Sequence, residues 1–166
     1  MTLIKALISE YKNEMANTRK ILSLVPIDNK TYKPHAKSME MGRLAKHLAE
    51  LPTWVGVTIN QDELDFAKEY PKTPNPENTE ALLKMMDDNL SAAIKVLEST
   101  PEEKLNEPWT MRNGDHIFFT MPKGIVLRNF VFNHNIHHRA QLGVYLRLLD
   151  IPIPGIYGPS ADESGI

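Results

Sequence analysis

The sequence predicts an all-α protein, a four-helix bundle, with one small β-hairpin or a plain loop between the third and fourth helices. Three observations predict it. Four segments of the 166-residue chain repeat their apolar residues at three- and four-residue steps, the spacing that turns one face of a helix into a core. Proline- and asparagine-rich breaks separate these segments, and strands do not follow one another in series. A chain of 166 residues with 42% hydrophobic residues suits one domain, taken as residues 1–166, that removes about 70% of its unfolded surface from water.

The first helix is expected from about Leu3 to Leu24, where Ile4, Leu7, Ile8, Tyr11, Met15, Thr18 and Leu22 share a face, and Pro26 with Asp28-Asn29 ends it. The second follows Ser38, its expected N-cap, with Met41, Leu44, Leu48, Leu51, Val55 and Ile59 on one stripe. Pro52 lies inside it; lacking an amide donor and crowding the carbonyl four residues back, it predicts a kink or break close to His47. Gln61 to Asn78, with Pro71, Pro74 and Pro76, reads as a long surface connection. The third helix, about Thr79 to Ser99, aligns Leu83, Met86, Leu90, Ala93 and Leu97 and stops at Thr100-Pro101. Between Glu102 and Lys123, Asn113-Gly114 joins two short runs as a type I′ hairpin turn would. The fourth helix runs from about Gly124 to Leu149, and an extended tail follows. The connections after the first two helices are too long for simple hairpins, so crossovers are expected.

Composition narrows the function. Nineteen Lys and Arg against twenty-one Asp and Glu give a formal charge of -2, which disfavours a general nucleic-acid binder. With no cysteine there is no disulfide scaffold, thiolate metal site or cysteine nucleophile, so any metal falls to His and carboxylates. The charged N-terminal segment is unlike a signal-peptide core, and no apolar run is long enough to span a bilayer, so a soluble, cytoplasmic protein without membrane contact is expected.

Three of the six histidines, His134, His137 and His138, fall in NHNIHHRAQL on the fourth helix. At 100° per residue, Leu127, Phe130, Val131, His138, Gln141, Tyr145 and Leu148 lie within about 60° of His134, which places it in the middle of the expected buried stripe. Arg128, Asn135, Arg139 and Arg147 fall outside. His134 and His138, four apart, can share a cation. Buried neutral imidazoles need partners for a donor and an acceptor, which either a metal or a hydrogen-bonded structural cluster supplies. His137, at the stripe's edge, is an outer-shell group beside the site or a surface residue. His47, at the margin of the second helix's apolar stripe, is the candidate third ligand or else a boundary residue. Glu50, one turn on, is a ligand, an outer acceptor or a surface carboxylate. His35 and His116 fall in irregular segments.

His47 in AKHLAELPTW, His134 and His138 in NHNIHHRAQL, the continuation YLRLLDIPIP and the tail YGPSADE resemble the DinB/YfiT-like family of metalloenzymes, over about Leu3 to Asp162. The resemblance implies a four-helix bundle, often a homodimer, with a divalent ion held by His47, His134 and His138; it assigns no ligand role to His137.

Three nitrogen ligands leave coordination positions open, as a catalytic site requires. Zinc is the expected ion and nickel an alternative. Such an ion lowers the pKa of bound water or holds a substrate thiol as thiolate. With no side-chain nucleophile in evidence, the nucleophile is expected to be brought by the ion. The resemblance, to a family whose characterised members include thiol S-transferases, implies a metal-dependent S-transferase that uses a low-molecular-weight thiol as cosubstrate and acts on a small molecule. The alternatives are a metal-dependent hydrolase, a non-catalytic metal-binding stress-response module, or a bundle with structural histidines that contacts a partner. Trp54, Gln141 and Tyr145 are expected to line the pocket in part.

Overall fold

The computed structural model describes residues 2–163 and is mostly helical, with a small three-stranded sheet. Helix α1, Leu3–Leu22, starts where Thr2 accepts from the Lys5 amide at 3.4 Å, and it packs against the third and fourth helical segments. The second segment is two helices, α2 (Met41–Glu50) and α3 (Thr53–Asn60), separated at Leu51-Pro52 as Pro52 predicts. Two side chains take carbonyls left at the break: Asn89 Nδ2 donates to Ala49 O at 2.9 Å and Thr53 Oγ1 to Glu50 O at 2.8 Å.

Ser38 is not the cap of α2. The first amides of that helix instead meet the backbone of the preceding loop, Met41 N donating to Tyr32 O and Gly42 N to Lys30 O, both at 2.8 Å. Such close backbone approach needs glycine, because a Cβ at residue 42 would lie 2.7 Å from Lys30 Cβ.

The Gln61–Asn78 connection is also more ordered than expected. It contains β1 (Glu63–Asp65), which pairs in parallel with β2 (Pro108–Asn113), and β2 pairs antiparallel with β3 (His116–Pro122). Three residues without alternation are too short to show in sequence; the pairing with β2 makes the strand. The hairpin turn differs from type I′. Asn113 is paired with His116, so Gly114 and Asp115 are the central residues, and only Gly114 has positive φ, at 58°. Leu64, Trp109, Met111 and Val126 form a small second core beneath the sheet. Between β1 and β2 runs α4, Thr79–Glu98, capped by Asn78 accepting from Ala81 N at 2.8 Å; it packs on α1, α2 and α3.

The last segment begins as α5 (Lys123–Val126), widens into a π turn at Leu127–Phe132 and continues as α6 (Asn133–Leu148). No proline or glycine in LRNFVF announces the π turn. The buried face of α6 is not centred on His134. Asn135, Arg139, Leu142 and Leu146 are buried while Gln141 and Leu148 are exposed, so the core direction lies roughly 110° round the helix from His134.

Polar pairing accounts for this rotation. Arg139, 3% exposed, reaches Glu14 Oε2 at 2.7 Å and donates to Glu14 O at 2.9 Å, while Thr18 Oγ1 donates to Asn135 Oδ1 at 2.6 Å. A hydropathy wheel places Arg and Asn in solvent, but partners on α1 make their burial tenable. The tail is folded back rather than extended. Tyr157 Oη donates to Glu14 Oε2 at 2.6 Å and accepts from Arg139 at 2.5 Å, and Arg147 pairs with Asp162 at 2.5 Å. Among the described residues no helix is long and apolar enough to cross a membrane.

Replacing Glu14 with Ala strands Arg139 in the core, and breaking a buried pair in this way costs about 3–5 kcal/mol. Urea unfolding of Glu14→Ala is expected to show that loss as a lower midpoint; an unchanged midpoint would refute the pairing.

Candidate metal centre

The rotation of α6 that buries Asn135 and Arg139 turns His134 and His138 toward α2, where the first turns fixed by Gly42 bring His47 to meet them. The two histidine-bearing helices are bounded by breaks, one ending before Pro52 and the other starting after the π turn. His134 Nε2 lies 3.3 Å from His47 Nε2 and 2.7 Å from His138 Nε2, and ligand nitrogens of all three fall within 4.8 Å of one another. The three side chains are half-buried, at the boundary between core and solvent.

Outer partners set which nitrogens face inward. His134 Nδ1 donates to Phe130 O at 3.3 Å, and His138 Nδ1 donates to Gln141 Oε1 at 2.7 Å. A neutral imidazole with its proton on Nδ1 has its lone pair on Nε2, so His134 and His138 aim lone pairs at one point. Two lone-pair nitrogens 2.7 Å apart are tenable only with a shared proton or a cation between them. Nitrogens bound to tetrahedral zinc stand about 3.3 Å apart, the His47–His134 separation, and the closer His134–His138 pair would have to open by about 0.6 Å to hold such an ion. The donor set therefore fits a divalent ion of the zinc or nickel type.

Burial pushes the His47 imidazole down to about 4, reinforced by the charges of His134, His138 and Arg43. Burial lowers His134 as well, with His138 adding to it. It also lowers His138, against the opposing hydrogen bond to Gln141. All three are thus held neutral near pH 7, the form that ligates.

The other expected pocket residues take distinct positions. Trp54 stands edge-on to His134, ring centroids 5.9 Å apart and planes at 90°, and walls one side of the centre. Gln141 orients His138. His137 is exposed beside His138, with ring centroids 5.0 Å apart. Tyr145 is elsewhere: its hydroxyl donates to Met39 O at 3.1 Å and its ring packs edge-on against Tyr32. Glu50 is held by Lys46 and Thr73, outside the histidine group. His35 and His116 are exposed and distant in sequence context, His35 accepting from the Lys37 amide at 3.1 Å.

Two cavities adjoin the centre and share Lys46, His47, Glu50 and Asn75. One, about 580 Å³, is lined by Lys30, Arg43 and Glu40 among others; the second, about 660 Å³, by Trp54, Val57, Leu64, Phe66 and Tyr70. Of these, sequence reasoning named His47, Glu50 and Trp54 and missed the others. Arg43, one turn before His47, could have been found from helical spacing; Phe66 and Tyr70 lie in the connection whose pairing the sequence did not reveal.

The lowered histidines set a sign for stability. Between pH ~4 and 6.5 the unfolded chain binds protons that folded His47 refuses, so stability rises with pH across that window and falls as the solution is acidified. In the metal-free protein, unfolding free energy is expected to drop on acidification from pH ~6.5 to ~5, with a shallower slope in His47→Asn. Equal slopes in the two proteins would count against the burial of His47.

The chain is 24% identical over 161 residues to the uncharacterized protein YrdA of Bacillus subtilis strain 168, covering 94% of this chain and 89% of that one. A crystal structure of a DinB-like protein from Bacillus cereus ATCC 10987 matches 92% of this chain and 97% of its own, with TM-score 0.69 and 22% identity. The DinB-like protein YjoA of Bacillus subtilis matches 91% and 96%, with TM-score 0.69 and 18% identity. The model of the DinB family matches residues 2–165, nearly the whole chain, and the protein belongs to that family.

Proposed function

We propose that this protein is a metal-dependent S-transferase that joins a low-molecular-weight thiol to a small electrophile, working from an ion held by His47, His134 and His138. The observation that carries the reading is the convergence of three imidazoles, two with Nε2 lone pairs fixed inward by Phe130 O and Gln141. The ion supplies Lewis acidity that lowers the pKa of a thiol or water bound at its open positions. The helical segments are read as one bundle with the centre between two of its rods.

The chain's own residues hold and shield. Phe130 and Gln141 fix the imidazole planes, so no reorientation is needed when ligands bind. Trp54 excludes water from one side. In the transfer, thiol sulfur forms a bond to carbon, the carbon–leaving-group bond breaks with its electron pair on the leaving group, and the thiol proton passes to solvent. The adjoining cavities hold the two reactants, and this favours transfer between molecules over attack by water, the hydrolase alternative.

His134→Ala is expected to lose most of its zinc by elemental analysis while retaining its helical circular dichroism, because the core does not depend on the site. Stoichiometric zinc in the His134→Ala/His138→Ala variant would refute the ligand set.

Zinc-loaded protein is expected to accelerate conjugation of a halogenated or epoxide electrophile with glutathione, bacillithiol or mycothiol, and His138→Ala to lose the acceleration. Zinc-dependent cleavage of an ester or amide panel, with no thiol-dependent turnover, would replace the transferase reading by the hydrolase.

A further inference from the structure

Residues 70–78 form a strap beside the histidine centre, and one residue holds its middle. Among the described residues, 69–77 make no backbone–backbone hydrogen bond, and Pro71, Pro74 and Pro76 lack the amides with which the stretch could add to the sheet. Both ends are fixed. Tyr70 Oη donates to Asp65 O and accepts from Asp65 N, each at 3.2 Å, and Asn78 caps α4. Between these ends, Thr73 makes the only polar attachments among the described residues. Its carbonyl accepts from Lys46 Nζ at 2.7 Å and its hydroxyl donates to Glu50 Oε1, while Lys46 and Glu50 pair at 3.5 Å. Lys46 and Glu50 flank His47 on α2, and all three line both cavities. The strap walls both as well, with Asn75 and Pro76 in one and Tyr70, Lys72 and Thr73 in the other.

We infer that residues 70–78 are a gate on the histidine centre, latched shut by Thr73 on the Lys46–Glu50 pair. This rests on the reading of the histidine group as the reaction centre. Closed, the strap divides the approach to His47 into two cavities of about 580 and 660 Å³; released at Thr73, it swings about Tyr70 and Asn78 and joins them in one open groove. The prolines fix φ at three positions, so the strap moves as a stiff piece rather than coiling into the groove. A segment without a backbone ladder opens far more readily than a helix. Its fastening of three partly exposed polar contacts makes the open form a minor state, about 0.1–10% of molecules. A site that activates a thiol uses both states: open to take in reactants and release product, closed to keep water from the ion.

The test is the reactivity of His47 toward diethylpyrocarbonate in the full-length, metal-free chain, with the rate at each histidine read by peptide mass spectrometry. Thr73→Val, which removes the hydroxyl at nearly constant shape, is expected to raise the His47 rate about fivefold, while Thr73→Ser, which keeps the hydroxyl, stays at the wild-type rate. His35 and His116, exposed on other segments, keep their rates in all three proteins and serve as the reference. Thr73 is exposed and belongs to neither core, so helical circular dichroism is unchanged. Equal His47 rates in wild type and Thr73→Val, a rise shared by His35 and His116, or a Thr73→Ser rate as high as that of Thr73→Val would overturn the inference. Zinc content separates it from the parent reading: a chain that retains no zinc yet shows the fivefold difference refutes the reaction centre and keeps the gate, whereas stoichiometric zinc with equal rates refutes the gate alone.

Discussion

The buried pair between Glu14 on α1 and Arg139 on α6 sets the direction in which α6 faces. Its side chains are 8% and 4% exposed, and their contact is 2.7 Å. In a helix, fixing one residue inward fixes every other residue's angle. With Arg139 and Asn135 turned into the core, His138 and His134 face the boundary beside α2, where His47 stands. Were the apolar stripe alone to decide, the histidines would be buried against α1 and out of reach of a substrate. Burying an ion pair is a poor source of net stability, because desolvation offsets most of the attraction. Its use here is to specify one rotation of α6.

The tail reinforces the same choice. Tyr157 bridges Glu14 and Arg139, donating to Glu14 Oε2 and accepting from Arg139 Nη2, and a tail residue thereby helps hold a helix whose opposite side carries the site. On α2 the constraint is different. Gly42 allows the loop at Lys30 and Tyr32 to supply the missing cap, and the Pro52 break lets α3 redirect so that Trp54 comes against His134. The centre thus depends on backbone features on one side and a buried charge pair on the other.

How much of this was legible in the sequence follows from the same physics. Helical spacing located the four helical segments to within a few residues, and Pro52 marked its break, because both effects are local. His47, His134 and His138 were legible as a group through their residue type and the family resemblance, and the geometry brings them together. The phase of α6 was not legible: a wheel ranks Arg139 and Asn135 by hydropathy, and only their partners on α1, more than a hundred residues away, reverse that ranking. The strand at Glu63–Asp65 was hidden for the same reason, its existence resting on β2. Tyr145 shows the converse. It shares the helix with the ligands, yet its hydroxyl is committed to Met39 O.

The central claim, that three imidazoles hold one ion with positions left open, is tested most directly by zinc-edge X-ray absorption on the zinc-loaded protein. The account predicts three histidine-type nitrogen scatterers at about 2.0–2.1 Å, with further light-atom scatterers that change when a thiol is added. A first shell of oxygen alone, without the outer-ring scattering of imidazole, would contradict it.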